Sequence, residues 1–179
     1  MSKITIAKWI VIAVAGLGIL WLVLHPKAYG PVTTGQRAPG FTLPEVPSGQ
    51  LSLSQYRGHV VVLNFWATWC PPCIMDTPSL EQFATEMKSD GVTVIGVSVD
   101  EDGQQLRQFV KRYHLTYPIG RDPNRTLSHR YGTFKYPETY IIGRDGHVAD
   151  KIIGATLWTD PRMITFIKSL TGATAQASR

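Results

Sequence analysis

Cysteine is scarce in this chain, with two among 179 residues, and the five histidines are dispersed along it. A structural zinc site requires four ligands, usually supplied by closely spaced pairs of cysteine or histidine. The chain has neither a second cysteine pair nor two histidines at ligand spacing. A zinc-binding interpretation of the two cysteines therefore has no support in the sequence.

Clusters of positive charge are also missing. The formal net charge is +5, but no block of lysine and arginine and no alternation of basic with aromatic residues occurs, so a nucleic-acid-binding function is not indicated. Internal repeats and low-complexity tracts are absent as well. With 44% hydrophobic residues, the composition is that of a globular protein, and the length suits one domain with one additional segment.

An uninterrupted apolar run opens the chain. No charged residue occurs from Trp9 to Leu24, and about twenty apolar residues span a bilayer core of about 30 Å. Lys3 and Lys8 precede the run, so the positive-inside rule places the N-terminus in the cytoplasm and the remaining chain on the opposite side. A cleaved signal peptide and a buried core helix are the alternatives. We predict an uncleaved signal anchor and transmembrane helix over residues 1–26.

Strand-like and helix-like segments alternate through the rest of the chain. Continuous β-branched runs predict buried strands, and apolar residues at helical spacing predict helices. The predicted order is a β-hairpin turned at 47–49, strand 59–67, helix 71–90, strand 92–100, helix 103–114, strand 116–120, helix 124–131, a strand pair turned at 143–146, and helix 159–170. This alternation indicates an α/β sheet flanked by helices. The predicted domains are a linker over 27–36, a globular domain over 37–171 and a flexible tail over 172–179.

Both cysteines lie in NFWATWCPPC, residues 64–73, which runs from the end of the predicted buried strand into the start of the predicted helix. At such a helix start the first sulfur lies near the N-cap, where it accepts backbone N–H bonds and experiences the helix dipole. Cys70 is therefore the predicted nucleophile and Cys73 the resolving thiol. Pro71 suits the first helical position, whereas Pro72 removes one donor, so we expect the pKa of the Cys70 thiol to be lowered only moderately. A structural disulfide closing so short a loop would stabilise little.

The segment VVVLNFWATWCPPC, followed by MDTPSL, resembles the thioredoxin fold and the TlpA/ResA/CcmG-like family of membrane-anchored thiol–disulfide oxidoreductases. The resemblance extends over residues 35–171 and includes GVTVIGVSVDED and YPETYIIGRDGHV. It implies a thioredoxin-like α/β fold, in which an N-terminal β-hairpin precedes a mixed sheet flanked by helices. It also implies extracytoplasmic reduction of protein disulfides, often in cytochrome c maturation or copper-centre assembly, with no cofactor beyond the cysteine pair itself.

Further site residues follow from this resemblance. Pro137 matches the family's cis-proline, which presents the backbone of Tyr136 to a substrate; an ordinary trans proline is the alternative. Asn64 stands where thioredoxins carry a buried acid, and an amide cannot accept a proton from the resolving thiol. Asp76 matches a glutamate of ResA-like relatives, and Glu138 matches an acid of CcmG-like relatives. The resemblance therefore implies that both are catalytic residues and candidates to accept that proton. The alternatives are a helix-dipole acid for Asp76 and a polar residue on the open face of a strand for Glu138.

The surface around the cysteine pair is predicted to bind substrate. Trp69 is expected to lie exposed beside Cys70 as an apolar docking surface, with Trp66 packed beneath it. The predicted substrate-binding residues are Trp69, Pro71, Pro72, Tyr136 and Pro137. The implied partners are a disulfide-containing protein, such as an apocytochrome c or a copper-site protein, and a membrane thiol-reductant donor. The implied location is the inner (cytoplasmic) membrane, with the catalytic domain facing the periplasm or the cell exterior.

Two other functions compete with disulfide reduction. The opening GQRAPGFTL resembles that of peroxiredoxin-like peroxidases, but the proline of their Pro-x-x-x-Thr-x-x-Cys setting is missing before Cys70. A thioredoxin-fold copper metallochaperone would bind metal through two cysteines and a distant histidine, and such proteins carry Cys-x-x-x-Cys rather than Cys-x-x-Cys. No resident metal site is predicted. A partner-binding domain with an inactive disulfide is a third alternative.

Overall fold

The computed structural model describes residues 3–24 and 30–172. Helix α1 spans Lys3–Leu24. Among the described residues, no helix has both the length and the hydropathy needed to cross a membrane. The transmembrane helix predicted over residues 1–26 is therefore not confirmed. Part of the predicted linker (27–29) and most of the predicted tail (173–179) lie outside the described residues.

Seven strands form one sheet, which contains both parallel and antiparallel pairs and begins with a β-hairpin, as predicted. The strand bounds are Thr42–Val46, Gln50–Ser52, Val60–Trp66, Val92–Ser98, Ile119–Arg121, Glu138–Ile142 and Val148–Ile153 for β1 to β7. Along the sheet their order is β2-β1-β5-β4-β3-β6-β7. Strands β3, β4 and β5 run parallel, whereas the β1–β2 and β6–β7 hairpins are antiparallel.

The helices also follow the predicted order. Their bounds are Pro71–Met87 for α2, Gly103–Arg112 for α3, Thr126–Tyr131 for α4 and Pro161–Leu170 for α5. A 3-10 turn extends α2 to Gly91, which adopts φ +75° and ends the helical segment as predicted. Helix α5 begins after Asp160, whose side chain accepts the Arg162 N–H at 2.8 Å.

Strand β3 lies in the interior of the sheet, between β4 and β6, and separates two apolar cores. All seven of its residues are buried. Val62 and Trp66 face the core formed with α2, α3 and α5, whereas Leu63 and Phe65 face the core formed with α4 and the segment before β1. Because successive strand residues point to opposite faces, the position of a residue along β3 or its neighbours decides on which side of the sheet its side chain lies.

Trp66, the last residue of β3, packs closely against the neighbouring strand β4. A Cβ added to Gly96 on the neighbouring strand β4 would come within 2.9 Å of the Trp66 Nε1 atom. Glycine at this position therefore allows the indole to lie against the strand. Trp66 is only 2% exposed, which confirms the prediction that it packs beneath the cysteine segment.

Candidate active site

The two cysteines form a disulfide at the start of α2, with 5.2 Å between their Cα atoms. Cys70 is the N-cap residue, and its Sγ accepts the backbone N–H of Cys73 at 3.3 Å. Pro71 and Pro72 occupy the first helical positions and are exposed. The predicted helix-start geometry is thus present, because the N–H that remains after two prolines is the one that reaches the first sulfur. The roles of nucleophile and resolving thiol remain predictions.

The loop that leads into Cys70 is held by Asp100, a residue that the sequence analysis did not single out. Asp100 is 1% exposed and accepts bonds from the Thr68 backbone N–H at 3.0 Å and from the Thr68 hydroxyl at 2.6 Å. The Ser98 hydroxyl donates to it at 2.7 Å. One feature of the sequence could have indicated this contact. Asp100 follows β4, and β4 is parallel to β3, so that both strands end at the same edge of the sheet.

Asp76 lies on α2 three residues after Cys73, and residues at this spacing are neighbours on a helix surface. It is only 4% exposed. Burial raises the pKa of its carboxyl from 3.8 to about 6, and the Trp158 indole and the Thr156 N–H oppose this rise. The Thr156 N–H bond measures 3.1 Å, whereas the indole N–H does not reach hydrogen-bonding geometry. Asp76 lies beyond the first turn of α2, so the helix-dipole alternative loses its basis.

Asn64 occupies the same side of the sheet as the disulfide. Its side-chain amide donates to the Thr139 hydroxyl at 2.8 Å, and Asn64 is only 3% exposed. Strand β3 therefore contributes a fixed neutral side chain here. Because a carboxamide does not titrate in the physiological range, a carboxylate that accepts a proton has to come from another element.

The segment before β6 contacts Trp69, the residue next to Cys70. The Tyr136–Pro137 peptide bond is cis, as predicted. The Tyr136 ring packs edge-on against Trp69, with 6.2 Å between the ring centroids. Trp69 is 52% exposed, which confirms that an apolar surface lies beside Cys70. A second cis bond, Val46–Pro47 in the β1–β2 hairpin, was not predicted.

Glu138 lies on the other face of the sheet from Asp76. It pairs with Phe65 across β3 and β6, and Phe65 belongs to the core opposite the disulfide. Glu138 is fully buried, and its Oε1 accepts from the Lys151 ammonium at 2.7 Å. The alternative of a polar residue on an open strand face is therefore wrong. The catalytic role predicted for Glu138 stays a prediction, but the structure does not bring its carboxylate to the face on which the disulfide packs.

No cluster of three or more histidine, cysteine, aspartate or glutamate side chains suited to a metal ion occurs within residues 3–24 and 30–172. The chemistry that the described site offers is that of the two sulfurs, the buried carboxyl of Asp76 and the apolar surface beside them. A dithiol at the start of a helix is an arrangement that favours the thiolate needed for thiol–disulfide exchange.

The fold and the site define a thiol–disulfide oxidoreductase. The chain belongs to the AhpC/TSA family, which it matches over residues 34–151. It is 31% identical over 137 residues to the thiol-disulfide oxidoreductase ResA of Bacillus thuringiensis subsp. konkukian, covering 76% of this chain and 78% of the relative. It is 35% identical over 123 residues to ResA of Geobacillus kaustophilus, covering 69% and 71%.

A solved structure gives the same result for the fold. A thiol:disulfide interchange protein of Chlorobium tepidum, described as DsbE, superimposes with a TM-score of 0.73 at 28% identity. The alignment covers 79% of this chain and 99% of that structure. The thioredoxin-like fold and the ResA-like type of thiol–disulfide oxidoreductase, which the sequence resemblance implied, are thereby confirmed.

Proposed function

We propose that this protein is an extracytoplasmic reductant of protein disulfides, acting in cytochrome c maturation or copper-centre assembly. The observation that carries the proposal is the cysteine pair at the start of α2, where the Cys70 sulfur accepts the Cys73 N–H. An exposed tryptophan lies beside this pair and a buried carboxyl lies one turn beyond it. The similarity to ResA and DsbE proteins supports the same class of reaction.

The first step requires the reduced protein. The Cys70 thiolate attacks one sulfur of a substrate disulfide, so that the substrate S–S bond breaks while a mixed disulfide with Cys70 forms. The displaced substrate sulfur departs as a thiolate and takes a proton from water. Trp69 and Tyr136 provide the apolar surface against which the substrate chain lies during this step.

The second step releases the substrate. Asp76 accepts the proton of the Cys73 thiol, and the resulting thiolate attacks the Cys70 sulfur. The mixed disulfide breaks, the Cys70–Cys73 disulfide forms, and the second substrate sulfur leaves as a thiolate that takes a proton from water, so that the substrate becomes a dithiol carrying two electrons. A carboxyl whose pKa is about 6 suits this role because it is close to neutral pH. A membrane thiol carrier then returns two electrons to the disulfide.

The membrane location is part of the proposal and rests on the sequence. The apolar residues 9–24 follow two lysines, which is the charge arrangement of an N-terminal anchor with the domain exported. A fusion of alkaline phosphatase after the full chain tests it. High phosphatase activity in the membrane fraction is expected, and low activity would contradict the exported orientation.

The reduction potential of the whole protein tests the direction of electron flow. The chain is equilibrated in glutathione or dithiothreitol buffers, and its free thiols are trapped and counted. A potential below about −200 mV agrees with a reductant, whereas a value near about −120 mV would make the protein an oxidant. If no Cys70–Cys73 disulfide formed at any buffer potential, the proposal would be wrong. Stoichiometric Cu(I) binding by the reduced chain would then be measured, to test the alternative of a copper metallochaperone.

A further inference from the structure

Glu138 is fully buried and makes three polar contacts. Its Oε1 accepts from the Lys151 ammonium at 2.7 Å and from the Tyr140 hydroxyl at 2.7 Å. Its Oε2 accepts from the backbone N–H of Phe134 at 3.4 Å. A buried carboxylate requires such partners, because desolvation is not otherwise compensated. Glu138 therefore links a charged side chain of β7 to the backbone of the segment that precedes β6.

Lys151 reaches Glu138 because of a bulge in the β6–β7 hairpin. Ile142 pairs with Val148, whereas Tyr140 pairs with Lys151, and the register shifts by one residue between these pairs. Without the shift, Lys151 would lie opposite Thr139 and point to the other face of the sheet. Its ammonium instead lies 5.0 Å from the centroid of the Tyr140 ring, and its side chain is 16% exposed.

The ion pair is separated from the sulfurs by the sheet. Glu138 and Tyr140 lie on the face of Phe65, while both cysteines pack into the core of the opposite face. Lys151 consequently has no direct route to the reacting atoms. Any effect on the reaction has to pass through the backbone that the pair holds.

That backbone is the segment 132–137, which connects α4 to β6. Its Phe134 N–H is bonded to Glu138, and the carbonyl of Tyr131, just before it, lies 2.8 Å from the Tyr140 hydroxyl. At its other end, Tyr136 packs against Trp69 beside Cys70. The same short segment is thus attached to the ion pair at its centre and contacts Trp69, the neighbour of Cys70, at its end.

We propose that Lys151 is a positioning residue: its ion pair with Glu138 holds segment 132–137 so that Tyr136 packs against Trp69 beside Cys70, and so sets how tightly a polypeptide disulfide binds. This inference rests on the proposed function, because it concerns a polypeptide substrate. A small disulfide meets Cys70 without needing the segment. Loss of the pair therefore impairs binding of a polypeptide more than exchange with a small molecule.

The test compares full-length Lys151→Met with Lys168→Met, which removes the exposed ion pair with Asp90. The probes are a synthetic peptide with an oxidised Cys-x-x-Cys-His segment, the haem-attachment sequence of c-type cytochromes, and oxidised glutathione. For Lys151→Met we expect KM for the peptide to rise about tenfold, with kcat and the glutathione rate changed less than about twofold. Lys168→Met should have the wild-type KM for the peptide, and Lys151→Arg, which keeps the positive charge, should have nearly the wild-type KM as well.

An equal loss with both probes, or no change in KM, would refute the inference. If Lys151→Met did not fold, the double variant Glu138→Gln/Lys151→Met is used instead, because it leaves no unpaired buried charge. The peptide KM of this double variant should still rise about threefold. If the wild type did not reduce the peptide, the proposed substrate class would be wrong while the inference stayed testable. Amide exchange at residues 134–136 should then be about tenfold faster in Lys151→Met than in Lys168→Met, and equal exchange would overturn it.

Discussion

Asp76 is the residue for which the structure predicts the clearest effect of pH. Burial raises the pKa of its carboxyl from 3.8 to about 6, so between these values the folded state binds a proton that the unfolded state has lost. Stability therefore falls as pH rises from about 4 to about 6 and is constant above that range. At about 1.4 kcal/mol for each tenfold change in affinity, the ionised carboxylate costs the fold about 3 kcal/mol at pH 7.

Replacement of Asp76 with asparagine removes this penalty while the amide oxygen can still accept the Thr156 N–H. The oxidised Asp76→Asn protein should equal or slightly fall below the wild type in unfolding free energy at pH 4. At pH 7 the difference should have shifted in favour of the variant by up to about 3 kcal/mol. Urea unfolding at intervals between pH 4 and pH 8 measures both quantities, with the disulfide kept intact.

The pH dependence separates this explanation from a simple change in packing. A packing effect would displace the two stability curves by a constant amount, because it involves no proton. Curves that stay parallel from pH 4 to pH 8 would refute the buried-carboxyl argument. The same variant should also lose the increase in the rate of mixed-disulfide resolution through about pH 6, since Asp76 must be deprotonated to accept the Cys73 proton.

Three further predictions concern the residues around the sulfurs. Cys73→Ser should accumulate a mixed disulfide with the peptide probe on non-reducing gels, and accumulation in Cys70→Ser instead would reverse the assigned roles. Asp100→Asn should lower the unfolding free energy by about 1–3 kcal/mol, because an amide cannot accept all the bonds of the Thr68 loop; an unchanged urea midpoint would contradict this. Trp69→Ala should raise the peptide KM about threefold but leave the glutathione rate unchanged, and equal effects on both would argue against docking.

The parts of the structure that could be predicted are those encoded by local sequence. Apart from Asn64, the run over Val60–Trp66 is apolar on both faces, and it forms a strand that is buried throughout. The cysteine spacing and the two prolines that follow Cys70 were enough to predict that Cys70 is the N-cap residue of α2, because this geometry depends only on neighbouring residues. The hydrogen bonds by which Asp100 holds the loop at Thr68 could not be found from local sequence, since the two residues are 32 positions apart. Their contact depends on β3 and β4 ending at the same edge, which follows only from the strand order.

The difference between Asp76 and Glu138 shows why resemblance alone could not assign their roles. Both acids lie close to the active site in the sequence pattern, Asp76 after the cysteines and Glu138 after the cis-proline. Strand alternation places Glu138 on the face of Phe65, where a one-residue bulge brings it the charge of Lys151. Asp76 has no ion pair among the described residues, and it is buried on the side of the sulfurs. An acid whose charge is already compensated is suited to holding a segment in place, whereas an uncompensated buried carboxyl is suited to exchanging a proton.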